Sequence, residues 1–442
     1  MKHAWLILAA LCIIFLAVKL PQAGYSLSDE NTYFLMAQRV FQGEMPYRDF
    51  FYAHPPLHLF LLSVPFLFAE VPFLALKLLP SLFTVGTAIL LFSYLRRKSD
   101  QAAIIGTSLF LFSYTVLRAT SFGTGLSEAC FFLMLGLFFE KKPFLAGAAL
   151  AVAIFFRYHA LIIVAALCLM QLLKRRWKMT AAAVSITALL FLLCLLLFGQ
   201  AFFADTVQYH LLKQGGEPSP FLRLVIVNPL LWIASLLSLA RLRPGNIEVA
   251  AIAYLAFLLI LQQSFNFYYL PLFLLFAILA GNLAAKVKSK ALVTAVFGIA
   301  AISGILSAGY FLTDWSQAFP NAPEVAAFVR GQPGDLFGDD YSVPLVALLS
   351  QKKIALGMSD INPQMFSTGM LDTNNVIGRL QQGSTIVSDQ DDYSGGSFWW
   401  GVPSFPAFVS FLKTCELKKE FVVREGVPRR MIRVYWCGPQ GH

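Results

Sequence analysis

Eleven long apolar runs, separated by gaps of which every second one is basic, leave this chain little choice of architecture. The runs fall at 4–20, 73–95, 101–118, 124–139, 143–156, 160–173, 179–198, 221–240, 247–263, 268–285 and 291–312. A bilayer core of about 30 Å takes roughly 20 apolar residues per helix. Over the whole chain 58% of residues are hydrophobic and 13% charged, against roughly 45–50% and about 25% in soluble globular proteins. A cytosolic enzyme, a disordered chain and a soluble secreted domain are thereby excluded, and an all-α polytopic membrane protein with about eleven spans is predicted.

The basic clusters orient it. Lys2, Arg96-Arg97-Lys98, Lys141-Lys142, Lys174-Arg175-Arg176 with Lys178, Arg241 with Arg243, and Lys286, Lys288 and Lys290 occupy alternate gaps. Lys and Arg are retained on the cytoplasmic side, so the N-terminus is expected inside, in a cell (inner) membrane. The run Ala4–Leu20 has no small-residue cleavage site behind it and reads as a retained first span. The net charge of +10 belongs to these loops, so no nucleic-acid partner is expected. Pro55–Ala69 is apolar but short, with Pro65 inside it. Counted as a span it would invert every later basic loop, so it is read as an interfacial helix. Asp29–Phe41 reads as an amphipathic helix with Ser28 as its N-cap. Two interfacial helices then fill one external loop, 21–72.

From Asp314 onward the composition changes to 11 basic and 13 acidic residues with Gly and Pro punctuation. Short apolar runs alternating with polar ones predict a small external α/β domain over 314–442, after a membrane module over 1–313. Cys415 and Cys437 are the cysteines of this part, on an oxidising side, so a disulfide between them is an open expectation.

Polar groups gather on the outer side. The loop 21–72 offers Asp29-Glu30, Tyr33, Arg39, Arg48-Asp49, His54 and His58; other external points add Lys77, Arg118, Glu128, Arg157, His159, His210 and Lys213. Bases and histidines at the lipid–water boundary suit a phosphate-bearing lipid headgroup. Each has a plainer explanation: first-turn acids favoured by the helix dipole, an Arg48–Asp49 surface pair worth little, a snorkelling Lys77. Arg157 and His159 resist one, because they interrupt an otherwise apolar stretch from Pro143 to Leu173. His54 and His58 are four apart, but Pro55-Pro56 intervene and no metal-binding motif exists. No cofactor is assigned, and a divalent metal stays open.

The order of these features resembles the GT-C superfamily of membrane glycosyltransferases, particularly bacterial relatives of protein O-mannosyltransferases, Rgt-type and aminoarabinose transferases. The likeness rests on Asp29, Glu30 and Tyr33, on Gly43 and Pro46-Tyr47-Arg48-Asp49-Phe50, on His54-Pro55-Pro56-Leu57, and on Pro80-Ser81-Leu82. Glu128 stands where the family places a second acid, although Asp is commoner, and Lys77 stands where Arg is usual. The resemblance implies transfer of a sugar from a polyprenyl-phosphate donor to an acceptor hydroxyl on the outer face, with inversion. The acceptor would be a lipid, a glycan or a protein. A phosphate leaves as a stabilised anion and needs no general acid, unlike the leaving group of a glycosidase. One carboxylate base and a cationic cradle suffice. Asp29 is expected as the base, with Glu30 as second choice or support. Arg48, His54, Arg157, His159, His210 and Lys213 are expected on the donor phosphate, and Glu128, Tyr33 and Asp49 on acceptor or sugar. The rival reading is a lipid or solute transporter or flippase without glycosyl transfer. It would want broken helices and charges near mid-membrane.

Overall fold

The computed structural model describes residues 2–212, 220–241, 245–261, 264–313, 318–360, 365–366, 368–369, 371–391, 406–424 and 430–438. Each of the eleven apolar runs is helical. They form α1 (Lys2–Lys19), α4 (Phe73–Arg96), α5 (Asp100–Leu111) with α6 (Tyr114–Ala119), α7 (Leu126–Phe138), α8 (Pro143–Phe156) and α9 (Ala160–Leu173). After these come α10 (Trp177–Phe203), the short α11 (Tyr209–Leu212), α12 (Phe221–Val227) with α13 (Pro229–Arg241), α14 (Asn246–Ile260), α15 (Leu270–Ala284) and α16 (Lys290–Thr313). Among the described residues five helices are each long and apolar enough to cross a bilayer, and five shorter apolar helices accompany them. The chain is a multi-pass membrane protein.

Two runs read as single helices are broken, each for a local reason. In 101–118 the Ser113 hydroxyl accepts the Val116 N–H and starts α6 afresh, as an N-cap serine does. In 221–240 the chain bends by 100° between α12 and α13. Pro229 has no N–H with which to continue the helix. Buried Asn228 occupies the break, donating to Thr115 Oγ1 (2.8 Å) and to the Leu224 carbonyl (3.0 Å). Its side chain thereby satisfies polar groups that lipid would leave unpaired.

Helix α15 is the axis of the bundle: residues 270–281 are all buried, with α5, α13 and α14 packed around it. Gly106 and Gly281 let α5 and α15 touch, since a Cβ on Gly106 would lie 2.9 Å from the Ala277 carbonyl oxygen and one on Gly281 3.0 Å from that of Ala102. Small residues at such crossings allow the backbone approach that drives helix association in lipid.

The loop 21–72 contains α2 (Glu30–Phe41) and α3 (Leu57–Ser63), the latter continuing as a 3-10 turn over Val64–Leu67. Asp29, not Ser28, sits at the N-cap position of α2, and it makes no side-chain cap bond; the Ser28 hydroxyl instead donates to Glu30 Oε1 (2.8 Å). Helix α2 is buried on more than one face, at Glu30, Asn31, Thr32 and throughout Phe34–Gln38. The cover on its second face comes from the C-terminal part of the chain. Beyond α16 lie α17 (Ala322–Arg330), β1 (Asp335–Gly338), α18 (Val343–Ser350), α19 (Thr373–Leu380), β2 (Ser384–Asp391), α20 (Pro406–Leu412), β3 (Glu416–Arg424) and β4 (Arg430–Cys437). The sheet order is β1-β2-β4-β3, with β1 parallel to β2 and the other pairs antiparallel. Cys415 and Cys437 are joined by a disulfide across the β3–β4 hairpin.

This sheet and its helices share one apolar cluster with the loop and the start of α4: Leu27, Phe34, Leu35, Phe66 and Phe73 pack with Phe319, Val325, Leu345 and Val346. Side chains of α2 also bond the backbone of the C-terminal part. Asn31 Nδ2 donates to the Tyr341 carbonyl (2.9 Å), Thr32 Oγ1 to that of Asp340 (3.3 Å) and Arg39 to that of Gly357 (2.8 Å). Helix α2 is clamped between the membrane helices and α18 with the turns around it.

Candidate functional site

The acids of α2 diverge because neighbouring residues on a helix point about 100° apart. Glu30 turns inward. Its carboxylate pairs with the buried Lys77 ammonium of α4, accepts from the Ser26 and Ser28 hydroxyls, and takes the Gly123 backbone N–H at 3.2 Å. Lys77 therefore does not snorkel toward lipid; it is buried and bound. Asp29 is half-buried, and its charge acts on the Tyr33 and Tyr268 phenols and on the Asp340 carboxyl.

Arg157 leaves the end of α8 in extended conformation and is 3% exposed. Its guanidinium is in hydrogen-bond contact with the hydroxyls of Tyr33 and Tyr268, and its Nε has no partner. Burial, reinforced by Asp29 and opposed by the Arg157 cation, pushes the Tyr33 phenol up to about 12. Tyr33 is neutral at physiological pH, with a proton to share.

Arg157 lies in the wall of a cavity of about 760 Å³ between α8, α9, α10 and α14. His54, His159, His210 and Tyr268 also line it, and the remaining wall is mostly apolar, including Phe155, Phe191, Phe257, Ile260 and Leu261. His54 and His210 stack with ring centroids 5.5 Å apart. His210 Nε2 donates to the Ala53 carbonyl (2.7 Å), and His54 Nε2 bonds the Tyr33 hydroxyl (3.1 Å). The His159 ring lies 4.1 Å from that of Tyr268. Four residues expected on the donor phosphate thus meet in one cavity with Tyr33 beside them, although they come from three separate stretches of chain.

The others lie elsewhere. Pro46–Phe50 is a tight turn in which Tyr47 adopts φ 69° and the Asp49 carboxylate accepts the Met45 N–H (2.8 Å). Arg48 and Asp49 form an exposed pair at 2.8 Å, outside the cavity wall. What this motif sends inward is Tyr47, whose hydroxyl donates to the His54 carbonyl (2.6 Å) and so holds that residue in place. Glu128 is fully buried in the first turn of α7, 3.5 Å from His58 Nδ1, and His58 Nε2 bonds the Gly123 carbonyl (2.9 Å). Gly125 precedes this turn at φ +79°, and a Cβ there would meet the Phe156 carbonyl oxygen at 2.8 Å. Lys213 lies outside the described residues. Among those described, no group of three or more His, Cys, Asp or Glu side chains is arranged to hold a metal.

Sequence reasoning missed Asp340. It follows β1 in a turn fixed by Asp339, whose carboxylate accepts the Tyr341 and Ser342 N–H groups at 3.0 and 2.6 Å. Asp340 Oδ1 is buried without a hydrogen-bond partner. Burial first, then the charges of Asp29, Asp339 and Asp360, pushes its carboxyl well above the ordinary range. The local GDDYS carries no motif; only the docking of the C-terminal part on α2 brings it to Asp29.

No family model and no curated protein sequence matches the chain. Solved structures do. ArnT from Cupriavidus metallidurans bound to undecaprenyl phosphate superposes with a TM-score of 0.64 at 14% identity over 98% of both chains. The same protein in the apo state gives 0.63 at 15% identity over 96% and 97%. The mycobacterial arabinofuranosyltransferase AftD gives 0.52 at 16% identity, covering 98% of this chain and 42% of that one. The chain shares the fold of these solved structures.

Proposed function

We propose that this chain, built on the GT-C fold, is a membrane glycosyltransferase that moves a sugar from a polyprenyl-phosphate carrier to an acceptor hydroxyl at the outer face. The observation that carries the reading is the cavity itself. A buried guanidinium and three imidazoles stand in a mostly apolar space between helices, and Asp29 at the start of α2 acts on Tyr33 and Tyr268, the two phenols that Arg157 contacts. Such a space suits an amphiphile with an anionic head and a hydrocarbon tail, and ArnT has been captured with undecaprenyl phosphate bound.

In this reading Asp29 accepts the proton of the acceptor hydroxyl as its oxygen attacks the anomeric carbon. The bond from that carbon to the phosphate oxygen breaks, and the electron pair leaves with the prenyl phosphate. A single displacement inverts the anomeric configuration. Arg157 meets the charge growing on the phosphate, which such preorganised cations stabilise in a water-poor site. His54, His159 and His210 add donors to the same oxygens. Tyr33 holds Arg157 and offers its phenolic proton to the sugar or the phosphate bridge. Glu30 sets the pitch of α2 from behind, and Glu128 does the same for the start of α7 through His58. Arg48 and Asp49, paired at the surface, shape the turn that delivers His54. The same reading has the N-terminus in the cytoplasm and the sheet outside, as the alternation of basic loops suggests.

The test is release of prenyl phosphate from a labelled prenyl-phosphate sugar by the purified protein and its Asp29→Asn variant. General-base loss lowers turnover by about 10²–10⁴-fold, with elution and unfolding temperature unchanged. Wild-type turnover in Asp29→Asn would remove Asp29 as base. Lipid translocation without cleavage would return the transporter reading.

A further inference from the structure

The stretch Phe51–His54 has no regular structure, so its buried backbone groups depend on partners from other elements. Three successive residues find them. The Tyr52 N–H donates to Asp205 Oδ2 (3.1 Å), the Ala53 carbonyl accepts from His210 Nε2 (2.7 Å), and the His54 carbonyl accepts from the Tyr47 hydroxyl (2.6 Å). We propose that Asp205, through Tyr52, is a positioning residue that sets the register of this stretch and so holds the stacked His54 and His210 rings where the donor's phosphate binds. What the rings bind rests on the transferase reading; how they are held does not.

The backbone around Asp205 is built for this contact. Beyond Phe203 the chain continues as a π-turn over Ala204–Gln208 before α11. In an α-helix, residues five apart point about 140° away from each other. A π-turn takes up the extra residue, and such turns are frequent at functional sites. Asp205 and His210, five apart, accordingly both reach the backbone of 52–53. Upstream, Gly199 leaves helical geometry at φ 63° and ψ −150°, so residues 200–212 do not take their direction from the axis of α10. Their contacts have to supply it. Phe202 meets Tyr47 and Tyr209 meets Phe51 edge-on, with ring centroids 5.1 and 5.0 Å apart. Aromatic contacts bring the two stretches together, whereas a hydrogen bond decides which residue faces which. Asp205 is 7% exposed, and among the described residues its printed bond is the one to Tyr52. Burying a carboxylate is costly, so apolar packing alone does not account for an acid here. The consequence lies in the cavity wall, where Thr206, Val207, His210 and Leu211 form one side and His54 adjoins them. The His54 and His210 rings stack at 5.5 Å with 22° between their planes. A slip of one residue between the stretches would take the rings apart. Asp205 itself does not line the cavity.

The test is NMR of the full-length protein in detergent, labelled at histidine Cε1, with equilibrium binding of undecaprenyl phosphate alongside. His54→Gln and His210→Gln assign the two resonances. Asp205→Leu is similar in size and lacks an acceptor. In it both resonances move toward the position of an unstacked imidazole, and the acceptor KM is unchanged. Undecaprenyl phosphate affinity falls about tenfold, as when one donor to an anionic oxygen is displaced. Asp205→Asn keeps an acceptor oxygen and restores both resonances and affinity. If Asp205→Leu does not fold, Asp205→Ala gives the same readings. Unmoved resonances in a monodisperse variant without the acceptor overturn the proposal, and so does loss of the stack in Asp205→Asn. Resonances that move while undecaprenyl phosphate binding stays at the wild-type level support the positioning role. They refute instead the placement of the donor's phosphate at these rings, so the two failures are told apart.

Discussion

Truncating Arg157 to alanine is expected to cost donor binding far more than anything else the protein does. The side chain is buried in the cavity wall, tied to Tyr33 and Tyr268, with Nε unpartnered. A guanidinium and a phosphate about 4 Å apart attract by roughly 4 kcal/mol at an effective dielectric of about 20. Removing one member of a buried, hydrogen-bonded charge pair costs about 2–5 kcal/mol in measured cases. At about 1.4 kcal/mol per tenfold, a loss near 3–4 kcal/mol weakens prenyl-phosphate affinity by about 10²–10³-fold. Arg157→Lys keeps the charge but not the planar fork that can bond two phenols and a phosphate together, and should lose about tenfold. The assay is equilibrium binding of undecaprenyl phosphate, with the acceptor KM measured alongside. A change under about threefold in well-folded Arg157→Ala, or equal weakening for donor and acceptor, would refute the placement of the phosphate in this cavity.

Glu30→Gln should lower the unfolding free energy by about 3–5 kcal/mol, because it leaves the Lys77 charge buried and uncompensated. A Glu30→Gln/Lys77→Met double variant should recover most of that, and thermal unfolding in detergent reads both. The Asp340 carboxyl, raised by burial and its acidic neighbours, favours the folded state at pH below the ordinary carboxylate range and progressively less as pH rises toward its own elevated value. The unfolding midpoint should fall with rising pH across that window, and Asp340→Asn should flatten the slope. An unchanged slope would remove Asp340 as its source.

How much the residues reveal depends on how each signal is encoded. The eleven apolar runs and the start of α2 are legible because a bilayer imposes length and hydropathy locally, and an acid-rich helix start needs only its own neighbours. The breaks at Ser113 and Asn228 are not: Ser113 and Pro229 are visible in the sequence, but the partner that makes a buried Asn228 tolerable is Thr115, far away in the chain. The cavity residues are legible as polar interruptions in apolar stretches, Arg157 and His159 above all. Lys77 looks like a snorkelling lysine because nothing near it in the helix is acidic; its partner Glu30 arrives from α2. Arg48 and Asp49 carry the most recognisable motif and occupy the surface of a turn, where the residue that reaches inward is Tyr47. Asp340 is invisible because the bonds that dock its turn on α2 run from Asn31 and Thr32 to the backbone carbonyls of Tyr341 and Asp340, which leave no trace in side-chain pattern.

If Asp29 is the base, as proposed, that docking also lets two adjacent acids take opposite tasks. A carboxylate that is to take a proton must face the substrate, and a carboxylate that anchors a helix must face the protein. One turn of α2 meets both demands only if its orientation is fixed by residues other than Asp29. Glu30 fixes it from the membrane side through Lys77 and Gly123, while Asn31 and Thr32 fix it from the sheet side through Tyr341 and Asp340. Between these two anchorages Asp29 holds the N-cap position without capping its own helix, and its charge is directed at Tyr33 and Tyr268, the two phenols that hold Arg157. The C-terminal part is, on this view, half of the jig that aims the base. Its removal should impair transfer even though, among the described residues, none of its side chains lines the large cavity.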